Sequence, residues 1–340
     1  MIRLLLLADT HLGFDLPARP RVEKRRRGPD FFANTRLALE PAIRGEVDLV
    51  VHGGDLLYRS NVPAGLVGLA LEPLLEVADA GVPVVLVPGN HERSVLPYPL
   101  FAAHEMLHVL DHPQTVELIV NGTKVALGGF PCVRDGIRDV FAGRLRATNV
   151  LGVDADLRLL CIHQTVEGAR VKGYTVPNGA DVIPGSAVPD GLAAVLSGHI
   201  HRAQVLDRDL GGRALAAPVY YPGSVERTSL AERDEAKGFM ILEFEADARR
   251  GGRLVKNTFH KLPARPMFAV AIDASGLGAA TLSETIQREL EALPGDAVVQ
   301  LRVEGELVPE AAEMIRAARL RAMHPPTMTV DLRYRRAGGC

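Results

Sequence analysis

The sequence predicts an α/β fold, a layered two-sheet core flanked by helices, followed by a small α+β unit. Three observations carry this expectation. Short aliphatic runs alternate with amphipathic stretches over the first two hundred residues. Strand-like patterning then dominates from about Leu215 to Lys261. Finally, the pattern changes after the doubly prolylated segment Leu262-Pro263-Ala264-Arg265-Pro266, where two prolines block a continuous helix or central strand.

The elements follow in chain order. Ile2–Ala8, Val47–His52, Val82–Val87, Lys124–Gly129, Arg158–Ile162 and Ala193–Ser197 are brief, aliphatic and bounded by turn residues, as buried strands are. Phe31–Ile43 and Gly65–Ala78 have helical spacing, the second ending before Gly81. Strands alternating with helices imply a layered α/β domain. Gly238–Phe244 and Leu254–His260 are expected to pair in a second sheet. Beyond the prolines the order is strand (Met267–Ile272), helix (Leu282–Leu293), strand (Ala297–Val303), helix (Glu310–Met323) and strand (Met328–Arg333). The expected domains are therefore residues 1–262 and 267–336, with a disordered tail after Arg336.

Composition bounds the function. At 340 residues the chain is long enough for two domains on a prior of roughly 150 residues each. Its 47% hydrophobic content can supply a sizeable core, which argues against wholesale disorder. A formal net charge of −2 does not favour a polyanionic partner globally, so any nucleic-acid footprint must be local. The three cysteines, Cys132, Cys161 and Cys340, are odd in number and widely spaced, against a disulfide framework and in keeping with a reducing cytoplasm. The apolar start, Leu4 to Leu7, is too short for a signal peptide, and no stretch reaches a membrane span. The expectation is a cytoplasmic protein without a membrane partner.

Metal-binding residue types recur where the predicted strands end. Asp9 and His11 follow the first strand, Asp55 the second in Gly53-Gly54-Asp55, and Asn90 and His91 the third in Gly89-Asn90-His91-Glu92. His163 follows Arg158–Ile162, and His199 and His201 follow Ala193–Ser197 in Gly198-His199-Ile200-His201. Ligands of α/β sheets bind beyond the carboxyl ends of strands, so these segments can converge on one crevice. A lone Asp-x-His or buried histidine means little; the ordered set, each piece at a strand end, points to a metal centre. Phosphoester hydrolysis at neutral pH needs a nucleophilic water and neutralisation of developing phosphate charge, and two metals about 3.5–4 Å apart supply both. Asp55 suits a bridging role, because its two oxygens can bind different ions. Imidazole, carboxylate and amide oxygen suit Mn²⁺, Fe²⁺ or Zn²⁺, whereas the lack of cysteine ligands argues against a structural zinc site.

These motifs (Asp-x-His, Gly-Gly-Asp, Gly-Asn-His-Glu, an isolated His and Gly-His-x-His) resemble those of the calcineurin-like metallophosphoesterases. His11-Leu12-Gly13, the stretch Tyr221-Pro222-Gly223-Ser224-Val225-Glu226-Arg227 and Lys237-Gly238-Phe239 are similar to the SbcD-type DNA repair nucleases. The resemblance spans roughly residues 1–260, and the unit after it looks like that family's capping domain. It implies two divalent ions, Mn²⁺ first and Fe²⁺ or Zn²⁺ next. One would be held by Asp9, His11, Asp55 and His201, the other by Asp55, Asn90, His163 and His199. His91 would stabilise the transition state or protonate the leaving oxygen, oriented by Glu92. The implied activity is a DNA exonuclease, also acting endonucleolytically, in DNA repair. Implied partners are DNA, an SMC-like ATPase subunit and a second copy of the chain. Two departures stand out: Tyr58 occupies a position where the family commonly has histidine, and no C-terminal helical stretch of the kind that grips the ATPase follows the cap.

Outside the metal motifs the densest cationic run is Arg19, Arg21, Lys24, Arg25, Arg26 and Arg27. It reads either as a solvated loop or as a phosphate-backbone contact, which would position DNA without reading its sequence. Tyr220 and Tyr221 are expected to pack a sheet, Cys161 to be an inert buried thiol, and His52, His104, His108, His112 and His260 to be structural or exposed. Competing functions are a phosphatase or cyclic-nucleotide phosphodiesterase with the same metal centre, and a non-catalytic scaffold of this fold. The cap and the arginine run speak against the first, the full ligand set against the second.

Overall fold

The computed structural model describes residues 1–15 and 27–336, so Arg19, Arg21, Lys24, Arg25, Arg26 and the tail after Arg336 lie outside the described residues. The chain forms two compact units. The first comprises Met1–Phe14, Gly28–Glu226 and Glu235–Pro263; the second comprises Arg227–Asp234 and the residues from Ala264 onward, together with Asp15 and Arg27.

Two six-stranded sheets build the first unit. In one, Ile2–Leu7, Leu49–His52, Val84–Leu86 and Leu107–Val109 run parallel, and Gly238–Glu245 and Arg253–Lys261 extend it antiparallel beyond Ile2–Leu7. In the other, Thr123–Gly129, Leu157–Ile162, Ala194–Ser197 and Ala214–Tyr221 run parallel, with Gln114–Val120 and Gln204–Arg208 antiparallel at the edges. Strand side chains alternate between faces, and both faces of the first strand are buried. Leu4 and Leu6 join Leu49, Val51, Leu127, Leu159, Leu196 and Leu242 between the sheets. Leu5 and Leu7 instead pack under the helices Gly28–Ile43 and Ala64–Asp79, with Phe31, Leu39, Leu71 and Leu74. The outer face of the other sheet packs on the helix Ile137–Thr148 through Ile137, Phe141 and Leu145.

The pair Gly238–Phe244 and Leu254–His260 forms, but as the edge of the first sheet and not in the second. Met240, Leu242 and Phe244 point into the intersheet core while Phe239 points to the helical side, which fits a strand covered on both faces. Tyr220 and Tyr221 lie in the second sheet, Tyr220 facing the intersheet core and Tyr221 the other. The buried Tyr221 hydroxyl donates to the Gln164 carbonyl and accepts from the Val166 N–H, 2.9 Å each. Cys161 is buried in its strand, and burial raises its thiol pKa.

The second unit has a three-stranded parallel sheet, Met267–Asp273, Val298–Glu304 and Thr329–Arg335, with Val298–Glu304 central. The helix Ala279–Glu291 buries Leu282, Ile286 and Leu290, spaced at one face, against Val299, Leu301 and Val303. Where one helix was expected over Glu310–Met323, two short ones stand, Pro309–Met314 and Ala317–Arg321, broken by an extended Arg316 at ψ 144°. Ala311 and Leu320 are both buried in this core. At about 100° per residue they would lie on opposite sides of one continuous helix, and the break lets both face inward. Arg265, inside the proline-bounded segment, is buried and donates to the carbonyls of Asp296 (2.6 Å) and Thr327 (2.9 Å) and to Thr329 Oγ1 (3.0 Å).

Candidate metal centre

Every predicted metal residue sits just past the carboxyl end of a strand in the first unit. Asp9 and His11 follow Ile2–Leu7, Asp55 follows Leu49–His52, and Asn90 follows Val84–Leu86. His163 follows Leu157–Ile162, and His199 and His201 follow Ala194–Ser197. Both sheets thus contribute to one place. The backbone there is unusual: Asp9, His11, Asp55 and His199 have φ of 51°, 45°, 52° and 82°. Non-glycine residues rarely adopt this left-handed conformation, and it clusters where strain serves function. Glycine is required at Gly89, where a Cβ would stand 2.1 Å from Asp55 Oδ1 and 2.4 Å from its backbone nitrogen. At Gly54, φ is +103° and a Cβ would meet His163 Nδ1 at 2.4 Å.

The side chains meet in three overlapping groups whose donor atoms lie within 4.8 Å of one another: Asp9, His11 and His201; His11, Asp55 and His91; and Asp9, Asp55 and His163. Asp9, His11 and Asp55 each belong to two of them, so these three residues tie the groups together. Asn90 Oδ1 stands 3.0 Å from His163 Nε2 and 2.8 Å from His199 Nδ1. His11 Nε2 lies 2.9 Å from His201 Nε2. The backbone holds the carboxylates in place: His199 N–H donates to both Asp9 oxygens (3.0 and 3.1 Å), and His91 N–H donates to Asp55 Oδ1 (2.9 Å).

The donor chemistry calls for positive charge. His163 Nδ1 faces the Gly53 carbonyl at 2.8 Å, which requires a hydrogen on Nδ1 and turns Nε2 toward Asn90 Oδ1 and, at 3.4 Å, Asp55 Oδ2. Burial works against a charged His163, yet the charge and hydrogen bond of Asp55 prevail and push it up to about 9. For Asp55 burial works upward, but His163, then His11 and His91, hold its carboxyl below the usual range. Burial and the neighbouring His163 push His199 down to about 4, and burial with His201 pushes His11 well below its ordinary value. Imidazole, carboxylate and amide-oxygen donors gathered in this way are a ligand set of divalent transition metals. His11 Nδ1 is buried without a hydrogen-bond partner among the described residues, a further sign of a site whose polar atoms are arranged for something other than one another. The residues fit two divalent ions.

His91 sits at the rim, its side chain one-third exposed. Its Nδ1 donates to the Tyr58 carbonyl at 2.5 Å, and its Nε2 faces Asp55 Oδ2 at 3.9 Å. The expectation that Glu92 orients this ring is corrected. The buried Glu92 carboxylate accepts from the N–H groups of Leu57 (2.5 Å) and Gly89 (2.8 Å), tying the Asp55 loop to the Asn90 loop. Burial and then the charge of Asp55 push its carboxyl up to about 8, against the pull of those N–H groups. Tyr58 therefore enters the site through its backbone. Its ring packs edge-on against Phe14, centroids 4.9 Å apart, and lies 5.6 Å from the His91 ring.

His52, expected to be structural or exposed, has a structural role here. His52 is buried beneath the site with Nε2 3.1 Å from Thr10 Oγ1, while its Nδ1 accepts from Gly54 N–H at 3.2 Å. Burial, then His163, push it down to about 3. His52 directly precedes Gly53-Gly54-Asp55 in the sequence. Of the cationic run only Arg27 is described. It is buried, with its guanidinium donating to the Arg227 carbonyl and its N–H donating to Asp15 Oδ2 at 2.8 Å. Arg27 thus has these partners within the second unit.

Residues 2–203 match the calcineurin-like phosphoesterase family. The DNA double-strand break repair protein Mre11 of Haloferax volcanii is 30% identical over 316 residues, covering 92% of this chain and 64% of the relative. Mre11 of Archaeoglobus fulgidus is 27% identical, covering 78% and 60%. The SbcD component of the nuclease SbcCD of Bacillus subtilis is 27% identical, covering 71% and 66%. The chain thus spans about six-tenths of the length of the first two relatives. Among the described residues no helix is long and apolar enough to cross a membrane. With the matched region covering more than half of the sequence and containing every residue of the centre, the chain belongs to the calcineurin-like phosphoesterase family.

Proposed function

We propose that this chain is a Mn²⁺-dependent DNA exonuclease, with endonucleolytic action as a further activity, that hydrolyses phosphodiester bonds in DNA repair. The observation that carries the reading is the convergence of Asp9, His11, Asp55, Asn90, His163, His199 and His201 beyond the strand ends. The relatives named as a nuclease and as DNA break repair proteins support the choice of substrate. One ion would be held by Asp9, His11, Asp55 and His201, the other by Asp55, Asn90, His163 and His199. When bound, two such ions polarise the phosphate and make water a nucleophile at neutral pH.

The chain's own residues do the rest. The His199 and His91 amides hold Asp9 and Asp55 so that their oxygens stay turned inward. With Nδ1 committed to the Tyr58 carbonyl, His91 has only Nε2 for the substrate, and a proton there can pass to the leaving oxygen. Glu92 keeps the loops bearing Asp55 and Asn90 in register. An SMC-like ATPase is the proposed protein partner, on the resemblance to SbcD-type nucleases.

The test is a Mn²⁺ assay on linear duplex DNA, single strands, a cyclic nucleotide and a phosphomonoester, repeated with Fe²⁺ and Zn²⁺. Cleavage of DNA, absent without added metal and greatest with Mn²⁺, is expected. Hydrolysis of the monoester or cyclic nucleotide with DNA left intact would replace this reading by a small-molecule phosphoesterase.

A further inference from the structure

The buried Lys237 and the segment Pro222-Gly223-Ser224 converge on one backbone atom, the carbonyl oxygen of His201, and we propose that Lys237 is a positioning residue for that histidine. The Lys237 side chain has no accessible surface, and a charge so placed persists only when it is paired and hydrogen-bonded. Its Nζ donates to the His201 carbonyl at 2.8 Å and lies 3.3 Å from Glu235 Oε2. The same carbonyl accepts from Ser224 N–H at 3.2 Å. A carbonyl oxygen has two lone pairs, so an ammonium and an amide can share it, the ammonium being the stronger donor.

His201 needs such an anchor. It lies between strands, where Ala194–Ser197 has ended and Gln204–Arg208 has not begun. Its ring is nonetheless one of three groups, with Asp9 and His11, whose donor atoms lie within 4.8 Å of one another. Asp9 and His11 follow a strand of the first sheet, whereas His201 follows a strand of the second. Both donors to the His201 carbonyl are tied to the first sheet. Ser224 forms a parallel bridge with Ala8, the residue before Asp9. Lys237 directly precedes Gly238–Glu245, which pairs with Ile2–Leu7. The His201 carbonyl is therefore the point where the second sheet's ligand is set against the first sheet's.

Gly223 belongs to the same device. Its φ is +77°, and a Cβ there would stand 2.8 Å from the His201 oxygen and 2.8 Å from the Ala203 nitrogen. The stretches Tyr221-Pro222-Gly223-Ser224 and Lys237-Gly238-Phe239, distant in sequence, thus share one task. With no accessible surface Lys237 cannot touch a substrate, so it acts through His201. The inference rests on the two-metal reading above and deepens it. Removing the ammonium should weaken the ion held by Asp9, His11, Asp55 and His201 and spare the ion held by Asp55, Asn90, His163 and His199.

Mn²⁺ binding to the full chain, followed as free Mn²⁺ by electron paramagnetic resonance, tests it. The wild type should bind two ions, and His201→Ala identifies the affinity that depends on this ring. Lys237→Met keeps the apolar stem without the ammonium and should lower that same affinity by about 10–100-fold, the usual effect of losing a residue that orients a ligand. The other affinity should stay at its wild-type value. In the His201→Ala background, Lys237→Met should cause no further loss, because its effect passes through that ring. Urea unfolding without metal measures general destabilisation separately, and destabilisation alone would not single out one ion. Gly223→Ala crowds the same carbonyl and leaves the ammonium in place; it should weaken the same ion, and it carries the test if Lys237→Met does not fold. Equal loss of both ions, no loss in either variant, or losses that add in the double variant would overturn the proposal. A wild type that binds fewer than two ions would overturn the two-metal reading itself, and the proposal with it.

Discussion

His91 is held by a backbone carbonyl, and this fixes which of its nitrogens can act. Because Nδ1 donates to Tyr58 O, the ring keeps its orientation whatever side chain residue 58 carries. Replacing Tyr58 by the histidine common in the resembling family would change what flanks the ring and leave this anchor. His91→Ala is predicted to bind two ions, as measured by elemental analysis, and to lose about 10²–10⁴-fold in cleavage rate. A variant that binds fewer ions than the wild type would make His91 a ligand, a role its place beside His11 and Asp55 allows geometrically. Glu92 is predicted to behave oppositely. Glu92→Ala would leave the Leu57 and Gly89 N–H groups without their acceptor, at a cost of about 1–3 kcal/mol for each buried group. Lower stability in a urea titration together with weaker metal binding is the expected result; a fully stable variant with normal ions would show the two loops to be held by other means. The candidate metal residues could be picked out in the sequence because each keeps a recognisable neighbour: a glycine, a second histidine, a strand just ended. The Tyr58 carbonyl and the true partners of Glu92 were not, since a backbone acceptor leaves no mark on residue type.

At the level of elements, the parallel strands Ile2–Leu7, Leu49–His52, Val84–Leu86, Thr123–Gly129, Leu157–Ile162 and Ala194–Ser197 announced themselves through aliphatic runs, whereas Leu107–Val109 and Ala214–Tyr221 were not picked out individually. Elements with weaker contrast escaped. Gln114–Val120 is an edge strand whose Ile119 is 72% exposed, so its pattern lacks a clean apolar side. Ile137–Thr148 buries only Ile137, Phe141, Leu145 and Thr148 among many polar residues. Which sheet Gly238–Glu245 joins depends on distant pairing with Ile2–Leu7, information that no local window holds. The cationic segment before Gly28 is the element on which the DNA reading can be tested most directly. Arg27 is committed to the Arg227 carbonyl, leaving Arg19, Arg21, Lys24, Arg25 and Arg26 as the cations to neutralise. If roughly three of these contact phosphates, replacing them should flatten the plot of log affinity against log salt by about 2–3 units. Cleavage of a small chromogenic diester should barely change, having no flanking phosphates to hold. An unchanged salt slope on duplex DNA would assign the run to a solvated loop.

The whole molecule separates chemistry from whatever the second unit contributes. All candidate ligands, with His91 and Glu92, belong to the first unit, whose cores among the described residues contain none of the second. The second unit has its own core around Leu282, Ile286, Leu290, Val299 and Leu301. Its boundary was legible because prolines and a change of pattern coincide. That Arg227–Asp234 belongs with it was not, since the segment arrives from the middle of the chain, with Arg227 Nη1 donating to the Arg265 carbonyl at 3.1 Å. A chain ending near Leu262 loses that partner but keeps every element of the metal centre. It is predicted to retain two ions and to hydrolyse a small activated diester such as bis-p-nitrophenyl phosphate near the full-length rate. On duplex DNA ends it should lose most activity, because correct placement of reactants can supply about 7–11 kcal/mol of barrier reduction, and a long polymer needs more protein to place it than a small diester does. Circular dichroism and metal content establish that the shortened chain is folded before rates are compared. If such a folded, metal-loaded chain digests duplex DNA as fast as the full chain, the second unit serves stability or association alone. The nuclease-specific part of the proposal would then rest on the first unit, whose two-metal chemistry the same result would leave standing.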